Sequence, residues 1–310
     1  MIQKLEHETW RIHDASKIKA YKTCPRKYFY EYVLGWRYDK PNHDLIFGES
    51  WHNAMAHLLL AGYDKVEEAH NSHFIPKYRE TFSIETDLDF APKNPGFALD
   101  ALVQYARRYA PEDTFKVHHV EVYGTVDTGR HKLHFRMDSV CEDSRGVFCL
   151  EHKTTKMDIA TWDAEWALST QTNLYNHVLL CMFGFDHTFG TVVSGTIFRK
   201  GGIGFKRVDV RPDKKMMYTW LHDTNKIMDK IKNDYEIMLA PDATDLNYMP
   251  CFYRNEEACM KYMKVCPYHA FCTAWPNPLQ RCEDLPMGFS VQRWNPADAA
   301  VESGKELMEV

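Results

Sequence analysis

Apolar and polar positions in the middle of the chain follow a strand pattern. Residues 131–141 and 146–153 are rich in strand formers, and 142–145 between them reads Glu-Asp-Ser-Arg, a turn composition. The pattern predicts a hairpin. With Ser144 and Arg145 at its tip, Cys141 falls opposite Phe148 and Asp138 opposite Glu151, with Cβ atoms about 5 Å apart. Residues 115–126, 187–198 and 204–210 read as further strands. Elsewhere the period changes. Trp51, Met55, Leu58 and Leu59 recur at helical spacing, and 66–79, 96–108, 163–180 and the long stretch 212–239 read as helices. The polar, proline-containing stretch 84–95 is expected to form a surface loop, and 297–310 a loose tail. At 310 residues the chain exceeds one ordinary domain, yet a core with helical insertions can use that length, so one elaborated domain over 1–310 is expected.

Composition narrows the class. Nine cysteines, an odd number with three of them clustered, argue for a reducing compartment rather than a disulfide framework. The opening residues lack an apolar leader, and the longest apolar run, 178–185, falls far short of the ~18 residues of a membrane span. A soluble, cytoplasmic protein without a membrane partner is therefore expected. Neither an internal repeat nor a phosphate-binding loop is present, so no motor is encoded.

Candidate chemistry starts at the hairpin. Like charges directly opposite destabilise a sheet, so Asp138 facing Glu151 is tolerable where a cation sits between them. Lys153, two residues beyond Glu151, points to the same face. Two acids and an ammonium can hold Mg2+ or Mn2+ through oxygens and activate a water against phosphate. The spacing alone fits a solvated hairpin face with incidental charges as well. His52 lies beside the apolar stripe of its helix, where a histidine is most often a boundary residue, and His57 reads as surface. Gln171 and Tyr175 are four apart on one helix face, able to reach one ligand or to serve as a buried tyrosine with an amide neighbour.

Cys259, Cys266 and Cys272 fall within fourteen residues, a density that points to a metal or cluster. Zinc completed locally by His269 or Cys251 is one reading, and an iron-sulfur cluster with a distant fourth thiolate is the other. Cys141, Cys149, Cys181 and Cys282 have no such company and read as core or surface thiols.

Several of these residues stand in a recognisable order. Asp138 followed by Leu150-Glu-His-Lys-Thr154 resembles the Asp…(Asp/Glu)-x-Lys core of the PD-(D/E)XK nuclease superfamily, specifically its RecB-like exonuclease branch. Ser16 with the helix leading to Cys24-Pro-Arg26 is similar to that branch's N-terminal motif, Gly48-Glu-Ser-Trp-His52 to its Gly-x-x-x-His motif, and Gln171 to Tyr175 to its Gln-x-x-x-Tyr helix. The matches run in the family's order from Ser16 to Cys272. Two positions depart from it: Phe135 stands where a glycine is usual, and no proline precedes Asp138.

The resemblance implies an α/β, restriction-endonuclease-like fold, with a central mixed sheet flanked by helices. A helical N-terminal part would occupy 14–110, the nuclease core 115–240, and an iron-sulfur clasp 250–282 closed with Cys24. It implies that His52, Asp138, Glu151 and the carbonyl of His152 surround Mg2+ or Mn2+, that Lys153 serves catalysis, and that Gln171 and Tyr175 line the site. Cys24, Cys259, Cys266 and Cys272 would hold a 4Fe-4S cluster. Glu121 resembles a recurrent glutamate upstream of the first acid and is a secondary candidate.

The implied activity is a metal-dependent DNA exonuclease acting in phage or prokaryotic recombination or DNA processing, with DNA as partner and room for a separate helicase or recombination protein. Two alternatives stay open: a catalytically vestigial iron-sulfur scaffold or DNA-binding subunit of the same fold, and a zinc-clasped phosphoesterase. Retention of Asp138, Glu151 and Lys153 argues against the first. A formal charge of −5 fits DNA held in a narrow channel better than on a broad surface. Arg199, Lys200, Lys206 and Arg207, and separately Arg26, Lys27 and Arg37, are basic groups that could track a DNA backbone or form ordinary solvated faces.

Overall fold

The computed structural model describes residues 6–157, 159–261, 264–296, 298 and 308–309. The chain begins with α1 (Ala15–Thr23), α2 (Pro25–Tyr28), β1 (Trp36–Tyr38), α3 (His43–Ala61), α4 (Val66–Glu68), α5 (Ile75–Arg79) and α6 (Pro95–Tyr109). Next come β2 (Lys116–Asp127), β3 (Lys132–Asp143), β4 (Gly146–Thr155), α7 (Ile159–Trp162), α8 (Thr170–Phe183), β5 (Thr188–Arg199) and β6 (Gly202–Val210). The C-terminal part holds α9 (Lys214–Met238), β7 (Met260–Lys261), β8 (Lys264–Val265), α10 (His269–Ala274), β9 (Phe289–Val291) and β10 (Met308–Glu309). Of the expected tail, only residue 298 and β10 fall among the described residues.

Local chemistry sets the helix starts. The Asp14 carboxylate accepts from the Lys17 N–H at 2.8 Å and caps α1, and the Asn94 side chain accepts from the Phe97 N–H at 3.0 Å ahead of Pro95, which opens α6. The expected helix at 66–79 is continuous but passes through a π-helical turn at Ala69–Phe74 between α4 and α5.

The main sheet is mixed, with strand order β10-β2-β3-β4-β5-β6, five long strands and the two-residue β10 at one edge. β3 and β4 are antiparallel, β4 and β5 parallel across the α8 crossover, and β5 and β6 antiparallel. The central parallel strands are buried over most of their length, which is why 188–199 carries a single charged residue, Arg199, at its end. Gly195, in register with Lys153, is required by close packing: a Cβ there would meet the Trp162 indole at 2.6 Å. These observations define an α/β architecture of the restriction-endonuclease type.

The chain divides into two compact units. One comprises the part up to Lys40, Gly124–Phe135 and the part from Lys215 onward; the other comprises Pro41–Tyr123 and Arg136–Lys214. In the second, Phe47, Trp51, Met55, Phe74, Tyr78, Leu102, Tyr105 and Phe198 form a core between α3, α5, α6 and β5. The first is built on aromatic rings, including Trp10, Tyr28, Phe29, Tyr30, Trp36, Phe252, Tyr268 and Phe289, with β1 pairing antiparallel to β9.

Three expectations change. The stretch 84–95 is not wholly at the surface, because Pro92, Lys93, Asn94 and Pro95 are buried. Lys93 Nζ lies 3.1 Å from Asp44 Oδ1 and 3.3 Å from the Thr154 carbonyl oxygen, which satisfies an ammonium that polarity alone would send to water. The basic hairpin is largely committed to internal partners: Arg207 grips Asp113 through two nitrogens, Lys206 pairs with Asp163, and Arg199 donates to the Met157 carbonyl. Arg26 is buried, and both Lys27 and Arg37 pair with Glu31. His57, expected at the surface, is half-buried and stacks on His73 at 4.2 Å.

Candidate active site and cysteine cluster

The β3–β4 turn falls at Ser144 and Arg145, and the register sets Cys141 against Phe148 as expected. Asp138 and Glu151 lie two residues beyond the Val140↔Cys149 rung. At this point side chains hold the strands together. Ser139 Oγ donates to the Leu150 carbonyl at 3.0 Å, and Asp138 Oδ2 accepts from the His152 N–H at 2.7 Å. His52, on α3, places Nδ1 2.8 Å from the same Asp138 oxygen. Glu151 Oε1 accepts from Lys153 Nζ at 2.5 Å and from Gln171 Nε2 at 3.0 Å. Gln171 also donates to Tyr175 Oη at 2.7 Å, and Tyr175 donates to the Arg136 carbonyl, tying α8 to β3. Thus Asp138, Glu151, Lys153, His52, Gln171 and Tyr175 are brought together within one compact unit.

Glu151 Oε2 is the unanswered atom. It is buried and has no hydrogen-bond partner among the described residues. A buried carboxylate oxygen without a donor is costly unless a proton or cation meets it. Electrostatics agree. Burial would raise the pKa of Asp138, but the His52 imidazole beside it holds the carboxyl well below the usual range. Burial and then the Asp138 charge raise that of Glu151. Lys153 is kept charged because Glu151 and Asp138 outweigh its burial. One acid is firmly ionised and its neighbour resists ionisation, the expected behaviour of two carboxylates waiting for a cation.

A small cavity beside these groups is lined by His52, Ala56, Leu59, Glu121, Asp138 and His152. Glu121 adopts φ 53° within β2, a left-handed conformation that a glutamate rarely takes and that marks a site held by its surroundings. Arg136 Nη2 lies 3.3 Å from Glu121 Oε1, and its guanidinium sits over Tyr123 at 5.3 Å. Sequence reading missed Arg136, although its spacing of two from Asp138 puts both on one strand face. The His152 imidazole packs edge-on to Tyr105 at 5.9 Å, and burial pushes its pKa down to about 3, leaving the ring neutral. The main chain of His152, not its ring, therefore serves Asp138.

The cysteines lie in the other unit. Cys24 is buried at the junction of α1 and α2. The β7–β8 hairpin returns Cys266 to Cys259, whose carbonyl accepts the Cys266 N–H at 2.8 Å, and Cys272 sits in α10. Burial raises the pKa of Cys266, with Cys24 and Cys259 among the neighbours adding to the rise. Burial pushes Cys272 up to about 11 against the opposing Arg26, and Cys24 and Cys266 are its thiol neighbours. Cys251 is pushed up to about 12 by burial and Asp234, and its thiol neighbour is Cys282. Cys24, rather than Cys251, is thus among the thiols whose charge acts on Cys266 and Cys272. Among the described residues, no three His, Cys, Asp or Glu side chains at either place are gathered closely enough to hold an ion as they stand. The carboxylate pair fits a cation through the open Glu151 oxygen, whereas the four thiols as they stand form no such group.

Fold and site are those of an α/β protein with a buried carboxylate pair at the edge of its central parallel strands. Over residues 15–273 the chain matches the family described as the PD-(D/E)XK nuclease superfamily, and it belongs to that superfamily. Enzymes of this superfamily hydrolyse phosphodiesters, typically with Mg2+ or Mn2+, and a nuclease of this kind acts on DNA. No curated protein matches the chain. Among solved structures, one titled "Crystal structure of SSO0001" is similar over 77% of this chain and 91% of its own, at 12% identity and a TM-score of 0.31. Among the described residues no helix is long and apolar enough to cross a membrane.

Proposed function

We propose that this chain is a RecB-like, divalent-metal-dependent DNA exonuclease of phage or prokaryotic recombination or DNA processing, working in the cytoplasm beside a separate helicase or recombination protein. The observation that carries the catalytic reading is the buried, unpartnered Glu151 Oε2 beside an ionised Asp138. Asp138, Glu151, the carbonyl of His152 and His52 would hold Mg2+ or Mn2+, which supplies charge stabilisation at the phosphate. Lys153 orients the attacking water or meets negative charge as it develops, and it is held in place by Glu151. Gln171 fixes the Glu151 carboxylate so that one oxygen stays available, and Tyr175 fixes Gln171. The intact set of Asp138, Glu151 and Lys153 favours an enzyme over a vestigial scaffold. Anaerobic purification with an absorption spectrum and iron assay, followed by digestion of end-labelled DNA with Mn2+, tests the whole reading.

Lys153→Ala is expected to lower single-turnover cleavage by about 100- to 1000-fold. DNA affinity measured with Ca2+, which binds oxygen ligands, should change only a few-fold. A parallel loss of affinity and rate would reduce Lys153 to a phosphate contact.

In the same proposal, Cys24, Cys259, Cys266 and Cys272 bind a 4Fe-4S cluster. Its support is that Cys24 is among the thiols acting on Cys266 and Cys272, whereas Cys251 is not. A local zinc site using Cys251 would need that thiol to leave its present neighbours.

A further inference from the structure

Most of the basic groups that the sequence offers to a DNA backbone are spent on the protein itself. Arg207 is held by Asp113, Lys206 by Asp163, Arg199 by the Met157 carbonyl, and Lys27 and Arg37 by Glu31, while Arg26 is buried. Lys153 and His52 are each bound to one carboxylate of the pair. A polyanion brought to two carboxylates still needs a cation at the mouth of the site, because phosphate neutralisation supplies much of its affinity.

Arg136 stands in that place. Alternation along β3 buries Leu133, Phe135 and Met137 and sets His134, Arg136 and Asp138 on the opposite, more open face. Arg136 is therefore about 7 Å along the strand from Asp138. Its main chain is fixed by the site, since its carbonyl accepts the hydroxyl of Tyr175, which in turn accepts from the Gln171 amide that holds Glu151. Its side chain is 46% exposed. The guanidinium lies over the buried Tyr123 ring at 5.3 Å, a rigid support on β2, and one nitrogen, Nη2, reaches Glu121 Oε1 at 3.3 Å. A half-exposed ion pair made through a single nitrogen contributes little and exchanges readily. A guanidinium, by contrast, carries five N–H donors in a planar fork that matches two oxygens of a phosphate.

We propose that Arg136 grips a backbone phosphate of the DNA strand entering the site, exchanging the Glu121 carboxylate for two phosphate oxygens while Tyr123 supports the guanidinium plane. The assignment rests on the nuclease reading of the preceding section and adds to it a substrate-binding residue outside the motif. Glu121 is then the internal acceptor that keeps the guanidinium in position between substrates.

The test uses the full-length protein. Affinity for end-labelled DNA is measured with Ca2+ over a range of KCl concentrations for wild type, Arg136→Gln and Arg136→Lys, beside single-turnover cleavage with Mn2+ at saturating protein and a thermal melt. Arg136→Gln should bind about tenfold more weakly, and its plot of log affinity against log salt should be shallower by about 0.7 to 0.9, the signature of one lost phosphate contact. Its saturating cleavage rate should change only a few-fold. Arg136→Lys keeps the charge and loses the fork, so it should retain the wild-type slope and bind about threefold more weakly. A folded Arg136→Gln protein with wild-type affinity and slope, whether or not its melting temperature or saturating rate falls, would overturn the inference and leave the nuclease reading intact. A wild-type protein that neither binds nor cleaves DNA would overturn the nuclease reading itself. If Arg136→Gln fails to fold, Arg136→Lys decides: wild-type affinity in that variant would overturn the phosphate grip.

Discussion

Asp138→Ala is expected to abolish DNA cleavage, with a rate loss of at least about 1000-fold, equivalent to roughly 4 kcal/mol of transition-state stabilisation. The substitution removes the ionised carboxylate of the pair and frees His52 and the His152 N–H from their shared acceptor. Folding should suffer less. Two donors lose a partner, at a cost of about 1–3 kcal/mol each if they stay dry. Against this, the repulsion that raises the pKa of Glu151 disappears, and water can enter from the adjoining cavity. A net destabilisation near 2 kcal/mol is expected, small enough to leave a folded protein. Single-turnover digestion of end-labelled DNA with Mn2+, alongside a thermal melt, separates the two effects. A folded Asp138→Ala protein with wild-type activity would remove Asp138 from the site.

Cys24→Ser is expected to have the largest effect on stability. Cys24 and Cys259 are separated by 235 residues. A cluster that joins them closes a loop of that length, and a crosslink of this span restricts the unfolded chain by about 5 kcal/mol in the loop-entropy picture. For a chain of this size that corresponds to a melting temperature lower by about 8 °C. The brown cluster colour should bleach, iron should fall, and nuclease activity should drop indirectly, since the cysteines and the carboxylates belong to different compact units. Cys251→Ser is the contrast. Its thiol is buried and is not among those acting on Cys266 or Cys272, so the variant should retain iron. Iron loss in Cys251→Ser with unchanged metal in Cys24→Ser would reject the clasp in favour of a local site.

What could be read in advance was what is local or fixed by period. The β3–β4 turn and its register follow from turn composition and strand formers within a few residues. The long helix at 214–238 carries its own periodicity. The proposed catalytic residues were legible because the motif states their types and order, and one turn of α8 links Tyr175 through Gln171 to Glu151. Non-local satisfaction was not legible. The three-residue strands β1 and β9 pair across some 250 residues of sequence, with nothing in either that names the other. Lys93 looked like surface because its acceptors, Asp44 and the Thr154 carbonyl, lie on α3 and β4. Arg207 looked available to DNA until Asp113, 94 positions away, claimed it. The motif likewise named Glu151 but could not say which of its oxygens would be left open.

The most direct test of the central claim is incubation of the purified full-length protein with end-labelled DNA and Mn2+, with and without EDTA, beside the Glu151→Gln protein. Glu151→Gln keeps the size of the side chain and removes the charge that a cation would meet. The account predicts metal-dependent release of label from DNA ends by the wild type, its suppression by EDTA, and a loss of about 1000-fold in Glu151→Gln. Cleavage that persists in EDTA, or equal cleavage by the Glu151→Gln protein, would contradict it.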